Sequence, residues 1–151
     1  MIPLQASFEE IAFRGYLMQL FGLLSKNAGV ALLLTSTLFG LMHIMNTEVQ
    51  AFGDWIVSYY IASGIAFGII AIMDEGLELA MGVHSANNIF GSVLVTFPES
   101  SLQTSALFQV KEYDLTIMMA MWLVIMTIFI IIVAKKYQWK DFSKLWSRIE
   151  F

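Results

Sequence analysis

The chain contains no cysteine and only two prolines in 151 residues. Without thiols it cannot form disulfides, use thiolate catalysis or build a cysteine-based metal centre. Charge is scarce as well: 13% of residues are charged, against about 25% in an ordinary soluble domain. There is no HExxH, which removes the zincin pattern, and no GxSG serine motif. The first residues, "MIPLQAS", lack the basic n-region of a signal peptide. No basic patch suits a nucleic acid.

What fills the chain instead is apolar. Hydrophobic residues make up 58% of it, and the mean hydropathy is +0.74. A soluble core of this length cannot absorb so much apolar surface, so the composition predicts a polytopic membrane protein. Five apolar segments emerge, at about 8–24, 27–45, 55–73, 76–97 and 115–134. Each approaches the roughly 20 residues a helix needs to cross a bilayer. Backbone groups in lipid must pair within their own segment, so these segments are expected to be helices. The fold class expected is an all-α transmembrane bundle of about five helices, occupying residues 1–134. Gly64 and Gly68 form a GxxxG whose small residues suit close helix packing.

The net charge of −4 hides an asymmetry. Five of the eight basic residues follow Ala134, so residues 135–151 are expected to be a basic, amphipathic tail on the cytoplasmic side. A solvated stop-transfer flank is an equal reading of the same residues. The localisation that follows is an integral protein of a bacterial cell membrane, with the bilayer as its first partner.

Ionisable residues within such spans cost about 2.5–3.5 kcal/mol each at a helix centre, so they are informative. They are Glu9, Glu10, Arg14, His43, Glu78 and His84. Glu10 and Arg14 stand four apart with the acid first, the favourable order for an ion pair on one helix face. Glu9 is rotated about 100° away and has no local base. His43 ends the second segment with Phe39 one turn before it. His84 lies inside the fourth, with Asn88 one turn after it. As bland alternatives, these could be a helix-start salt bridge, an interfacial histidine and an interhelical hydrogen-bond pair. Taken together they fit activation of a water for hydrolysis, or a two-histidine, one-carboxylate metal site.

The three motifs, in order, resemble those of the CPBP intramembrane proteases, also called the CAAX prenyl protease or Abi family. EExxxR reads Glu9 to Arg14, followed by Gly15. FxxxH reads Phe39 to His43, and HxxxN reads His84 to Asn88. The resemblance covers roughly residues 3–95. It implies an endopeptidase with a hydrophilic cavity opening into the bilayer, acting on membrane-associated, including prenylated, protein or peptide substrates. By motif, Glu9 would activate water with help from His43. Glu10 and Arg14 would orient the site, Phe39 would wall the cavity, and His84 and Asn88 would stabilise the oxyanion. A metal-dependent version would use Glu9, His43 and His84 to hold a divalent ion such as zinc; a metal-free glutamate mechanism is the other version. Members usually carry further helices before EExxxR, so a catalytic core lacking N-terminal helices is expected. A non-catalytic protein of the same fold, serving bacteriocin self-immunity or acting as a membrane partner, is the alternative. Homo- or hetero-oligomers fit either reading.

Overall fold

The computed structural model describes residues 1–102 and 104–149. Five long helical rods dominate the described residues. The first covers residues 2–25 in three parts: α1 (Ile2–Glu10), a π-helical stretch (Ile11–Leu17) and α2 (Met18–Ser25). Pro3 falls in its first turn, where the missing N–H has no intrahelical partner to lose. Lys26 ends the rod in the left-handed region at φ 54°. Asn27 then starts α3 (Ala28–Met42) by accepting the Val30 N–H on its side chain.

After α3 come a short α4 (Thr47–Phe52), α5 (Val57–Asp74) and α6 (Glu78–Ile89). The fourth apolar segment is therefore not one regular helix. α6 passes into a π-helical stretch, Phe90–Leu94, and then a two-residue strand, β1 (Val95–Thr96), parallel to β2 (Phe108–Gln109). Asp114 caps α7 (Leu115–Lys136) through the Thr116 and Ile117 N–H groups.

Two stretches are long and apolar enough to cross a bilayer, Asp54–Asp74 and Leu115–Lys136. Ala28–Met42 is apolar but shorter. α7 is the greasiest helix and the least covered: only 11% of its apolar window is buried, against 56% for the Asp54–Asp74 stretch. Most of its Ile and Val side chains therefore face outward, as a lipid-exposed helix requires.

α3 and α5 meet at small residues. A Cβ on Gly64 would lie 2.9 Å from the Ser36 Cα, and one on Gly68 would run into the Leu32 side chain. The GxxxG of α5 thus does what its spacing suggests and lets the two backbones approach.

Lys26, Asp74 and Glu75 share one end of the bundle with the chain's C-terminal part. The tail does not form one amphipathic helix. It makes a 3-10 segment, Phe142–Trp146, and then folds back. Ile149 N–H donates to the Lys26 carbonyl, and the Asn27 amide donates to the Trp146 carbonyl. Trp139 donates its indole N–H to Asp74, and Lys144 pairs with Glu75. Backbone bonds to α2 and α3 replace the helical bonds that free amphipathic residues would have made. The last two residues of the expected tail, Glu150 and Phe151, lie outside the described residues, as does Gln103.

Candidate active site

The opposite end of the bundle gathers the motif residues. α1 brings Glu9, the end of α3 brings His43, and α6 brings His84 and Asn88. These side chains and Phe39 line one cavity of about 510 Å³, together with Tyr60 and Asn87.

Glu10 and Arg14 stand behind the cavity wall, both almost fully buried. Arg14 Nη1 donates to Glu10 Oε1 at 3.1 Å, and Nη2 donates to the Gly64 carbonyl at 2.9 Å. Its guanidinium lies 4.6 Å from the Phe39 ring centroid, a cation–π contact. Arg14 sits within the π-helical stretch, a helix form often found at functional positions. The expected ion pair is present, and it has a third member. His84 Nδ1 lies 2.7 Å from the same Glu10 oxygen. A carboxylate only accepts, so Nδ1 carries the proton and donates. Glu10 therefore sets the tautomer and orientation of His84, a role the EExxxR spacing did not disclose. Phe67 stacks on the other side of the ring at 4.7 Å. The second oxygen, Glu10 Oε2, is buried with no partner among the described residues.

Glu9 points away from Glu10 and Arg14 and takes no hydrogen bond from either Arg14 or His84. Its side chain keeps 21% exposure, and its contacts are the Gln5 amide, which donates to it at 3.1 Å, and His84 Nε2 at 3.8 Å. The latter is too long for a hydrogen bond.

His43 caps α3, and its Nδ1 donates to the Phe39 carbonyl at 2.7 Å. In the neutral ring that leaves Nε2 with its lone pair free. Tyr60 stacks on the ring at 4.2 Å, nearly parallel. The Tyr60 hydroxyl donates to Glu48 at 3.1 Å and accepts from Asn46 at 2.9 Å. Ser101 also donates to Glu48, tying the loop after β1 to α4. Sequence reasoning missed Tyr60, Asn46 and Glu48, because a tyrosine at a helix start and polar loop residues carry no distinctive spacing. Glu78 is exposed in the first turn of α6 and takes no part in the cavity.

The metal version of the site does not fit this arrangement. Glu9, His43 and His84 line one cavity, yet among the described residues no three His, Asp or Glu are grouped to hold a metal ion. Both imidazoles donate from Nδ1 to protein acceptors, so Nε2 is the atom each would offer a metal, and among the described residues these atoms are not grouped with a third ligand.

A family model described as type II CAAX prenyl endopeptidase, Rce1-like, matches residues 1–90. That span contains all three motifs. The uncharacterized protein YyaK of Bacillus subtilis (strain 168) is 35% identical over 96 residues, covering 64% of this chain and 32% of that relative. The matched region is thus about a third of the curated relative's length. No solved structure matches.

Proposed function

The chain belongs to the type II CAAX prenyl endopeptidase, Rce1-like family, and from that premise we propose that it hydrolyses peptide bonds of membrane-associated protein or peptide substrates with a water activated by Glu9. The family is one of membrane-embedded endopeptidases; the residue roles below are the proposal. What supports them most is that Glu9, His43 and His84, from three helices, line one cavity.

In this reading the Glu9 carboxylate takes a proton from water, and His43 Nε2 accepts a hydrogen bond that holds the same water. The water oxygen bonds to the peptide carbonyl carbon, and the carbonyl oxygen becomes the oxyanion. The Asn88 amide donates to it. His84 Nε2 could donate to the same oxygen only as an imidazolium, whose charge the Glu10 carboxylate would balance. The C–N bond then breaks, and Glu9 passes its proton to the leaving nitrogen. The products are a carboxylic acid and an amine. No step in this reading is routed through a metal.

The test is cleavage of a peptide library in liposomes by the wild type and by Glu9→Ala. Loss of cleavage in the variant is expected, and equal rates in the two would sink the proposal. A chelator added to the wild-type assay is expected to leave the rate unchanged.

A further inference from the structure

Asn88 is not isolated on α6. Its neighbour Asn87 also lines the cavity and is reached by a residue of the last helix. Trp122 Nε1 lies 3.0 Å from Asn87 Oδ1. An indole N–H can only donate, so the atom of Asn87 that faces it has to be the oxygen. That choice settles the other end of the amide: Asn87 Nδ2 points toward Asn88 Oδ1, at 3.4 Å. Asn88 Oδ1 is thereby the accepting atom of that contact. Its Nδ2 has no partner among the described residues and remains available to the cavity. Three groups stand in one donor-to-acceptor sequence, from indole to amide to amide.

The rest of α7 makes this contact more telling. The helix is mostly outward-facing, with Met126 and Val133 its only fully covered residues among those described. Trp122 is half-buried and clamped. The Tyr59 ring meets it edge-on at 4.9 Å, and the Ala66–Phe67–Met126 cluster packs beside it. A helix with so little interior contact still spends its one indole N–H on a cavity residue. Trp122 also lies beyond residues 1–90, so the matched family region does not contain it.

We propose that Trp122 is a positioning residue for the oxyanion donor: through Asn87 it orients the Asn88 amide so that Nδ2 faces the substrate carbonyl. This rests on the role given to Asn88 above. The physical gain is twofold. The chain removes the alternative amide rotamer, in which Asn88 would present an oxygen to a developing negative charge. Aligned hydrogen bonds also polarise one another, so the terminal N–H becomes a better donor.

The experiment uses the full chain in liposomes. Trp122→Phe keeps an aromatic ring on Tyr59 and Met126 but removes the N–H. It should lower kcat on the order of tenfold with KM within about twofold, since the donor acts in the transition state. Asn88→Ala should cost about 10²–10³-fold in kcat, and adding Trp122→Phe to it should cost nothing more. Asn87→Leu, which removes the middle link, should match Trp122→Phe. An activity-independent reading comes from the Trp122 indole N–H resonance, identified by its loss in Trp122→Phe, which should shift in Asn87→Leu. Wild-type kcat in Trp122→Phe, or losses that add fully in the double variant, would overturn the proposal. So would an unmoved indole resonance. Should Glu9→Ala cleave as fast as wild type, the hydrolytic mechanism is what fails, and the resonance still decides the hydrogen-bond chain.

Discussion

Glu10 Oε1 and His84 Nδ1 meet at 2.7 Å although 74 positions separate them in the chain. The same oxygen takes the Arg14 donor, so a single carboxylate atom joins a cation on its own rod to an imidazole on α6. That atom couples the helix start to the middle of the fourth helix. It divides the glutamate doublet into a buried organiser and a carboxylate that faces the cavity.

Arg14→Leu tests the organiser. Removing one partner of a buried ion pair leaves an uncompensated charge and costs about 3–5 kcal/mol. The Gly64 carbonyl loses its donor as well. Thermal unfolding in detergent should show a melting temperature well below wild type and a lower folded yield. A wild-type melting curve would refute the structural role.

The two glutamates should separate cleanly. Glu9→Gln keeps a similar shape at a partly exposed position, so unfolding should change little. If the proposed mechanism holds, kcat falls by about 10²–10⁴-fold, the usual loss for a general base. Glu10→Gln should instead destabilise the protein, because a neutral amide replaces the carboxylate between Arg14 and His84. Equal stability losses in the two variants would contradict the division.

Gly64→Ala should be worse than Gly68→Ala. The new methyl group at 64 meets the Ser36 backbone at 2.9 Å, which cannot rotate away. At 68 it meets the end of the Leu32 side chain, which can. Overpacking of the first kind costs about 1–3 kcal/mol. It would also move the carbonyl that holds Arg14. Comparing chemical unfolding midpoints of the two variants settles the order.

The Lys144–Glu75 pair should make the tail sensitive to pH and salt. The hydrogen bond and then the charge of Lys144 hold the Glu75 carboxyl below its usual range, and the same two causes from Glu75 raise Lys144. A depressed acid contributes above its unfolded value and loses that contribution as pH falls through its folded value. A raised base contributes below its unfolded value and loses it as pH rises through its folded value. The tail should thus be held tightest between the carboxylate and lysine ranges. Hydrogen exchange at the Ile149 N–H, bonded to Lys26, should quicken about two- to threefold in Lys144→Met, since an exposed pair is weak. A protection factor at that N–H, corrected for the intrinsic rate, that stays unchanged across acid pH and high salt would count against the tie.

Much of the candidate site was legible before any coordinates. Helical periodicity puts Glu10 and Arg14 on one face and turns Glu9 away. The spacing of Phe39 with His43 and of His84 with Asn88 stacks each pair along one helix. Those are local relations, set by 3.6 residues per turn. The continuous helix expected through residue 97 was not obtained, because the turn after Ile89 widens and then yields to a strand pair with Phe108 and Gln109. Gly91 and Ser92 weaken the helix in that stretch, but small residues are also common inside membrane helices, so they do not single out the exit.

The sequence by itself determined the class of the molecule: apolar runs that must close their own backbone bonds in lipid, and a few expensive polar residues at helical spacing. Tertiary structure decided how those residues divide the work. Only packing brings the Gly64 carbonyl to Arg14, His84 to Glu10, Tyr60 to the face of His43 and Trp122 to Asn87. Each depends on where two helices cross and which rotamer fits between them, and no repeat within one helix encodes the position of its neighbour.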